Sequence, residues 1–313
     1  MASHILLPKR LIKNSTIAIV APSKPIDEQK KIELKNFENY MKSESVNVKL
    51  SKNLFAVDKF GVSAGTPEER AHDINSMFSD KKIDAIWCFQ GGDTANQTLD
   101  LIDYEKIKEN PKLFMGKSDI DVLLLAINKM TGLITIHCCD PKIGSNREMD
   151  LDYTKKWFKK RLFDGEKEIE PSCEWVCLRD GKSSGGLIGC NLTSILKLAG
   201  TKYFPDFNES ILFIETYKSN AAKVICQLTQ LEKIGVFEKI KGIVIGSNFE
   251  FDSGNKKLKV EDIVKELTSD YKFPILKINE FGHYQPHAFL PIGAKVELDA
   301  TNKKLAIVSD FLE

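Results

Sequence analysis

An α/β fold is predicted by three features of the chain: short apolar runs alternating with amphipathic helical stripes, turn residues at most junctions, and a change of texture beyond Pro171. The alternation through residue 137 favours a predominantly parallel sheet with its chemistry near strand ends. The later texture favours a second, mixed α/β domain. The expected division is an amino-terminal domain over 1–165, a linker over 166–180 and a carboxyl-terminal domain over 181–313.

Taken in order, 15–21 (STIAIVA) reads as a strand, and Ile32, Leu34, Phe37 and Met41 give an approximate helical stripe. After a strand at 46–50, GTPEERAHDINSMF carries a full helix start: Thr66 to cap, Pro67 at the first turn and Glu69 to close a capping box. The strand 83–89 runs into Gln90-Gly91-Gly92-Asp93, where paired glycines permit either a tight turn or close approach of backbone to a ligand. Asp93 or Thr94 can cap a helix through Leu101, and Asp103 can begin another. Leu113, Phe114 and Met115 form a strand candidate, and Val122 to Ala126 a buried helix face. The next strand is 133–137, followed by a polar, turn-rich 140–152 that suits a boundary or lid. In 153–163 Trp157, Phe158 and Leu162 bury one helical face while the lysines stay wet. Beyond Pro171, 175–178, 211–214, 243–245, 274–278, 296–298 and 305–308 read as strands. The stretch 181–189 reads as turns, 191–198 as a short helix, and 222–234 as a helix stopped by Gly235.

Composition narrows the function. With 45 basic against 44 acidic residues, no long-range field recruits a nucleic acid polymer or an anionic membrane. No secretion signal or run approaching 20 apolar residues is present, so a soluble cytoplasmic protein is expected. The seven cysteines are scattered and lack ligand spacing, and neither a structural metal nor an HExxH motif is expected.

The segment GKSDID, Gly116 to Asp121, lies between the strand at 113–115 and the following helix. A serine there exposes its hydroxyl while N–H groups at the helix start face developing negative charge, which makes Ser118 the candidate nucleophile. The competing reading is a helix cap, by Ser118 or by Asp119. Glu215 directly follows the apolar run ILFI, and His283 lies in the glycine-containing turn FGHY. Serine needs a base, histidine can take and return its proton, and a carboxylate on the other ring nitrogen fixes the tautomer. Ser118, His283 and Glu215 supply those roles. His137 is the rival base, His287 a further alternative, and His4 and His72 look peripheral.

Three segments read together resemble the LD-carboxypeptidase family of serine peptidases. AGTPEERAHDINSMFSDKKIDAIWCFQGGDTANQTLDLIDYEKIKENPKLFMGKSD is similar to its amino-terminal half. GGLIGCNLTSILKLAGTKYFPDFNESILFIE is similar to its central region, and FGHYQPHAFLPIGAKVELDATNKKL to its carboxyl end. KIGVFEKIKGIVIG and FGHYQPHAFLPIG look closest to the microcin C immunity peptidase, or MccF-like, branch. The resemblance implies a Rossmann-like nucleophile domain, a smaller carboxyl-terminal domain with the acid and base, and a groove between them. It also implies a homodimer, no cofactor, a nucleophile at Ser118, a base at His283 and its partner at Glu215. Backbone N–H groups of Gly92 and Asp119 would stabilise the oxyanion, and Asn191 would lie near the substrate. The implied reaction is hydrolysis of an amide or acyl linkage, in murein peptides at an L-D bond or in microcin C-type aminoacyl adenylates. Lys218 is a candidate anion contact, with a solvated lysine as the alternative.

Where members commonly read GYSDxT, this chain has Lys117 at the aromatic position and Asp121 at the threonine. HCCDP stands where a glycine-proline pair is usual, and Cys190 interrupts GGN. These departures motivate the alternative of a catalytically weak peptide- or nucleotide-binding protein on the same scaffold.

Overall fold

The computed structural model describes residues 5–146, 148–254 and 257–313; His4 lies outside them. The first sheet is laid down by β1 (Thr16–Val20), β2 (Asn47–Leu50), β3 (Ala85–Cys88), β4 (Leu113–Gly116) and β5 (Thr135–His137), all parallel and ordered β5-β4-β3-β1-β2. Each crossover carries a helix: α1 (Glu28–Ser43), α2 (Pro67–Ser79), α3 (Tyr104–Glu109) and α4 (Asp121–Thr131). The capping box predicted for α2 forms, with Glu69 N–H donating to Thr66 and Thr66 N–H to Glu69. In α1 the buried positions are Leu34, Phe37 and Met41. Ile32, expected in that stripe, is exposed, because two residues before Leu34 is about 200° around the helix.

After α5 (Asp152–Leu162) the chain builds a second sheet from β6 (Val176–Arg179), β7 (Lys182–Asn191), β8 (Ser210–Tyr217), β9 (Gly242–Phe249) and β10 (Ile275–Lys277), with α6 (Leu192–Lys197), α7 (Ala221–Lys233) and α8 (Val260–Leu267) between strands. Then β11 (Leu290–Ile292) returns to the first sheet, antiparallel to β5, before β12 (Lys295–Asp299) and β13 (Lys304–Ile307) complete the second. The second order is β13-β12-β7-β8-β9-β10-β6, with β7 to β10 parallel and antiparallel pairs at both edges. Among the described residues the second sheet has seven strands against six, so it is no smaller than the first. β6 lies inside the stretch 166–180 that was expected as linker.

The main departure from expectation is β7, a ten-residue strand where turns were predicted. Its glycines serve close approach instead: at Gly189, φ +150°, a Cβ would overlap the Phe213 carbonyl on the adjoining β8. The apolar residues from Val122 to Ile127 are buried, and α4 packs against β4, β7 and β11, so the helix behind Ser118 is held by both sheets.

Candidate active site

The nucleophile candidate occupies a turn that its neighbours hold. Lys117 continues β4 in extended conformation, and Ser118 then turns to φ +65° before a single 3-10 turn and α4. A left-handed non-glycine residue costs on the order of 1–2 kcal/mol and persists where its surroundings over-determine it. Ser194, in α6, donates to the Ser118 carbonyl at 2.7 Å. Asp119 accepts from Ser23 Oγ at 2.6 Å, Ala95 N at 2.8 Å and Lys197 Nζ at 2.6 Å. Its carboxylate therefore ties four segments together, and neither it nor Ser118 caps the helix. The turn at Gly91 lies against the serine: a Cβ there would sit 2.8 Å from Ser118 Cβ, 2.9 Å from its Oγ and 3.2 Å from Asp119 N.

The acid–base candidates come from the second sheet. Glu215 lies within β8, paired in register with Asn191 at the end of β7. Asn191 Nδ2 donates to Glu215 Oε1 at 2.7 Å, while its Oδ1 caps α6 by accepting from Thr193 N and Ser194 N at 3.0 and 3.4 Å. The other carboxylate oxygen, Oε2, lies 2.9 Å from His283 Nδ1. Burial alone would push the Glu215 carboxyl up, but His283, Asn191 and His137 together hold it at about 2. A proton between Nδ1 and the carboxylate leaves Nε2 as the nitrogen free for transfer. Tyr217 stacks on the imidazole, with ring centroids 4.2 Å apart and planes 23° apart.

Ser118, His283 and Gly92 line one cavity of about 590 Å³, with Lys24, Lys142 and Tyr284 among its other walls. Glu215, Asn191 and Asp119 are buried. Among the described residues no hydrogen bond joins the Ser118 hydroxyl to the imidazole, a contact that in hydrolases tightens with substrate. The rival bases stand elsewhere. His137 is fully buried with its Nδ1 2.8 Å from Asp121 Oδ1, and burial pushes His287 well below the ordinary imidazole range. His72 is exposed on α2. Lys218 is outside the cavity lining and pairs with Glu250 at 3.3 Å. Burial raises the thiols of Cys88, Cys138, Cys139 and Cys190 well above their ordinary value, which makes them poor ligands and nucleophiles.

Sequence reasoning missed two contributors. Tyr217 had an available signal, since two residues beyond Glu215 on a strand is the same face. Glu148 had none: it lies in the polar 140–152 segment, yet it is buried and bonded to Lys117 and to the backbone beside His283.

A left-handed serine at a strand-to-helix turn, sharing a cavity with an imidazole bonded to a buried carboxylate, suits a serine-type hydrolase. Consistent with it, the chain belongs to the LD-carboxypeptidase family, whose N-terminal domain model matches residues 17–138 and whose C-terminal domain model matches residues 184–298. It is 30% identical to a probable murein peptide carboxypeptidase of Bacillus subtilis, over 98% of this chain and 95% of that protein. It is 26% identical to the microcin C7 self-immunity protein MccF of Escherichia coli, over 99% of this chain and 98% of that protein. A solved structure of MccF in complex with glutamyl sulfamoyl guanosine superposes with a TM-score of 0.89 at 25% identity, covering 98% of this chain and all of the other. An MccF-like protein from Bacillus anthracis superposes at 0.85 with 27% identity, covering 97% and 99%. Among the described residues no helix is long and apolar enough to cross a membrane.

Proposed function

We propose that the protein is a serine peptidase that cleaves an amide or acyl linkage in a small peptide-like substrate through a Ser118–His283–Glu215 triad. The observation that carries this reading is the 2.9 Å His283–Glu215 contact at the wall of the cavity that Ser118 lines. His283 Nε2 takes the Ser118 proton as Oγ bonds to the substrate carbonyl carbon. The resulting oxyanion is held by the N–H groups of Gly92 and Asp119. Collapse breaks the bond to the leaving group, which receives the proton from His283, and the acyl-serine remains. Water attacks that ester while His283 takes its proton and returns it to Ser118, releasing the acid. Glu215 keeps the ring in the required tautomer throughout.

Two substrate classes fit the family: murein peptides cut at an L-D bond and aminoacyl nucleotides of the microcin C type. The cavity wall carries Tyr217 and Tyr284, with Phe249 packed behind them, which favours the second, since a nucleobase gains by stacking. Following the family, the protein works as a cytoplasmic homodimer; light scattering on the purified chain tests the dimer, and cell fractionation the location. The activity test incubates wild type and Ser118→Ala with murein tetrapeptides and with aminoacyl adenylates, and reads products by mass spectrometry. Release of a terminal D-residue, or cleavage of the adenylate, selects the class. Equal product from Ser118→Ala refutes the nucleophile, and saturable binding with no product from either pool favours a binding protein.

A further inference from the structure

Lys117 and Tyr284 flank the two reacting groups in sequence, one immediately before Ser118 and the other immediately after His283. A single carboxylate oxygen joins them. Glu148 Oε1 lies 3.1 Å from Lys117 Nζ and accepts the Tyr284 N–H at 3.0 Å, while Oε2 accepts the Asp140 N–H at 3.2 Å. Lys117 and Glu148 are both buried. Glu148 and Tyr284 both adopt left-handed backbone, at φ +38° and +59°, so the geometry at each end is specific rather than relaxed. The segment between β10 and β11 that carries His283 has no regular strand or helix of its own. Its imidazole is held from one side by Glu215 and its backbone from the other by Glu148.

We infer that Glu148, locked by Lys117, is a positioning residue that sets the His283 imidazole against Ser118 by gripping the backbone that follows it. The inference rests on the serine–histidine chemistry proposed above. It gives Lys117, which replaces the aromatic residue usual in the family's nucleophile segment, a role in a clamp between the nucleophile turn and the base loop.

The pair is ionic over the working range of pH. Burial would neutralise the Lys117 ammonium, but Asp140, Glu148 and Glu215 hold its proton more tightly than in water. Burial would likewise protonate Glu148, but Lys117, the Tyr284 N–H and His283 keep its carboxyl below the ordinary range. Among the described residues the charged and titratable groups around the imidazole are Glu215 and Tyr217 from β8, Glu148 from its 3-10 turn, Lys117 from the nucleophile turn, Asp140 with its partner Lys142, and Tyr284. Asp121 and His137 lie behind Glu215. Removing one member of the Lys117–Glu148 pair therefore leaves an uncompensated charge of known sign beside His283.

The test uses Lys117→Met, Glu148→Gln and Lys117→Arg in the full chain, with two readouts. The first is the pH dependence of kcat and kcat/KM on whichever pool wild type cleaves. The second is the NMR titration of the His283 imidazole in histidine-labelled protein, assigned with His283→Gln. Lys117→Met leaves a net negative charge, which favours the imidazolium and moves its midpoint and the acid limb upward. Glu148→Gln leaves a net positive charge and moves both downward, each by about half a pH unit. In both variants kcat falls about ten- to a hundredfold with KM little changed, and Lys117→Arg restores most of it. Midpoints that stay put, or that move the same way in both variants, overturn the clamp. Where Lys117→Met fails to fold, the near-isosteric Glu148→Gln decides alone by the sign of its shift. A wild type that cleaves neither pool sinks the hydrolase reading, while the NMR midpoints still decide the clamp.

Discussion

Replacing Gly91 by alanine places a methyl group against Ser118, the proposed nucleophile. The new Cβ would lie 2.8 Å from Ser118 Cβ and 2.9 Å from Oγ. Ordinary carbon contacts begin near 3.5 Å, so at least about 0.7 Å must be found. Ser118 has little freedom to yield, because its backbone is already left-handed and its carbonyl is bonded to Ser194. The methyl would also lie 3.2 Å from Asp119 N, one of the two proposed oxyanion donors. Overpacking of this kind costs about 1–3 kcal/mol of stability. Misplacement of a reacting group by about 1 Å costs roughly a hundredfold in rate, so kcat should fall between tenfold and a thousandfold while the protein stays folded. The assay is kcat with the cleaved substrate, beside urea unfolding and the rate of Ser118 labelling by a fluorophosphonate. Gly186→Ala is the control, since its Cβ would meet nothing nearer than a carbonyl oxygen at 4.0 Å. Activity within twofold of wild type in a folded Gly91→Ala protein, or an equal loss in the control, would refute the argument.

Other perturbations have equally direct outcomes. Glu215→Gln removes the carboxylate proposed to fix the imidazole tautomer and should lower kcat by about 10³- to 10⁴-fold with the fold retained, checked by turnover and circular dichroism. A carboxyl held at about 2 against an ordinary 4.5 contributes roughly 3 kcal/mol, present above pH 4.5 and lost as pH falls toward 2. Urea titrations between pH 5 and 2.5 should show that slope in wild type and a shallower one in Glu215→Gln. Arg70, buried in α2, donates to the carbonyls of Pro22 and Thr94 at 2.8 and 2.9 Å and to Gln97 Oε1 at 2.6 Å. Arg70→Met should cost about 3 kcal/mol in urea unfolding by orphaning those acceptors, and should loosen the turns that carry Ser23 and Gly92.

Local signals made the amino-terminal half readable. Thr66, Pro67 and Glu69 specify the start of α2 by bonds among themselves, and the apolar run before GKSDID specifies a strand without reference to distant chain. The same holds for Asn191, whose side chain caps the helix it precedes. Legibility failed where partners are remote. The glycines of β7 looked like turn residues because the feature that demands them, the approach of β8, is absent from the local pattern. β11 is three residues containing a proline, and only its pairing with β5 makes it a strand. Glu148 belongs to the same group: a charged residue in a polar stretch reads as solvated until Lys117 and Tyr284 close around it.

The return of the chain to its first sheet bears on biogenesis. The His283 loop is anchored by β10 in one sheet and by β11 in the other, and β11 seals the edge of the sheet that β5 would otherwise expose. On a ribosome the Ser118 turn is complete long before residues 290–292 emerge. Until then the β5 edge is an open template for pairing with other chains, and the His283 loop has no second anchor. Hydrolytic competence and protection from edge-to-edge aggregation would therefore arrive together, late in synthesis, with one three-residue strand.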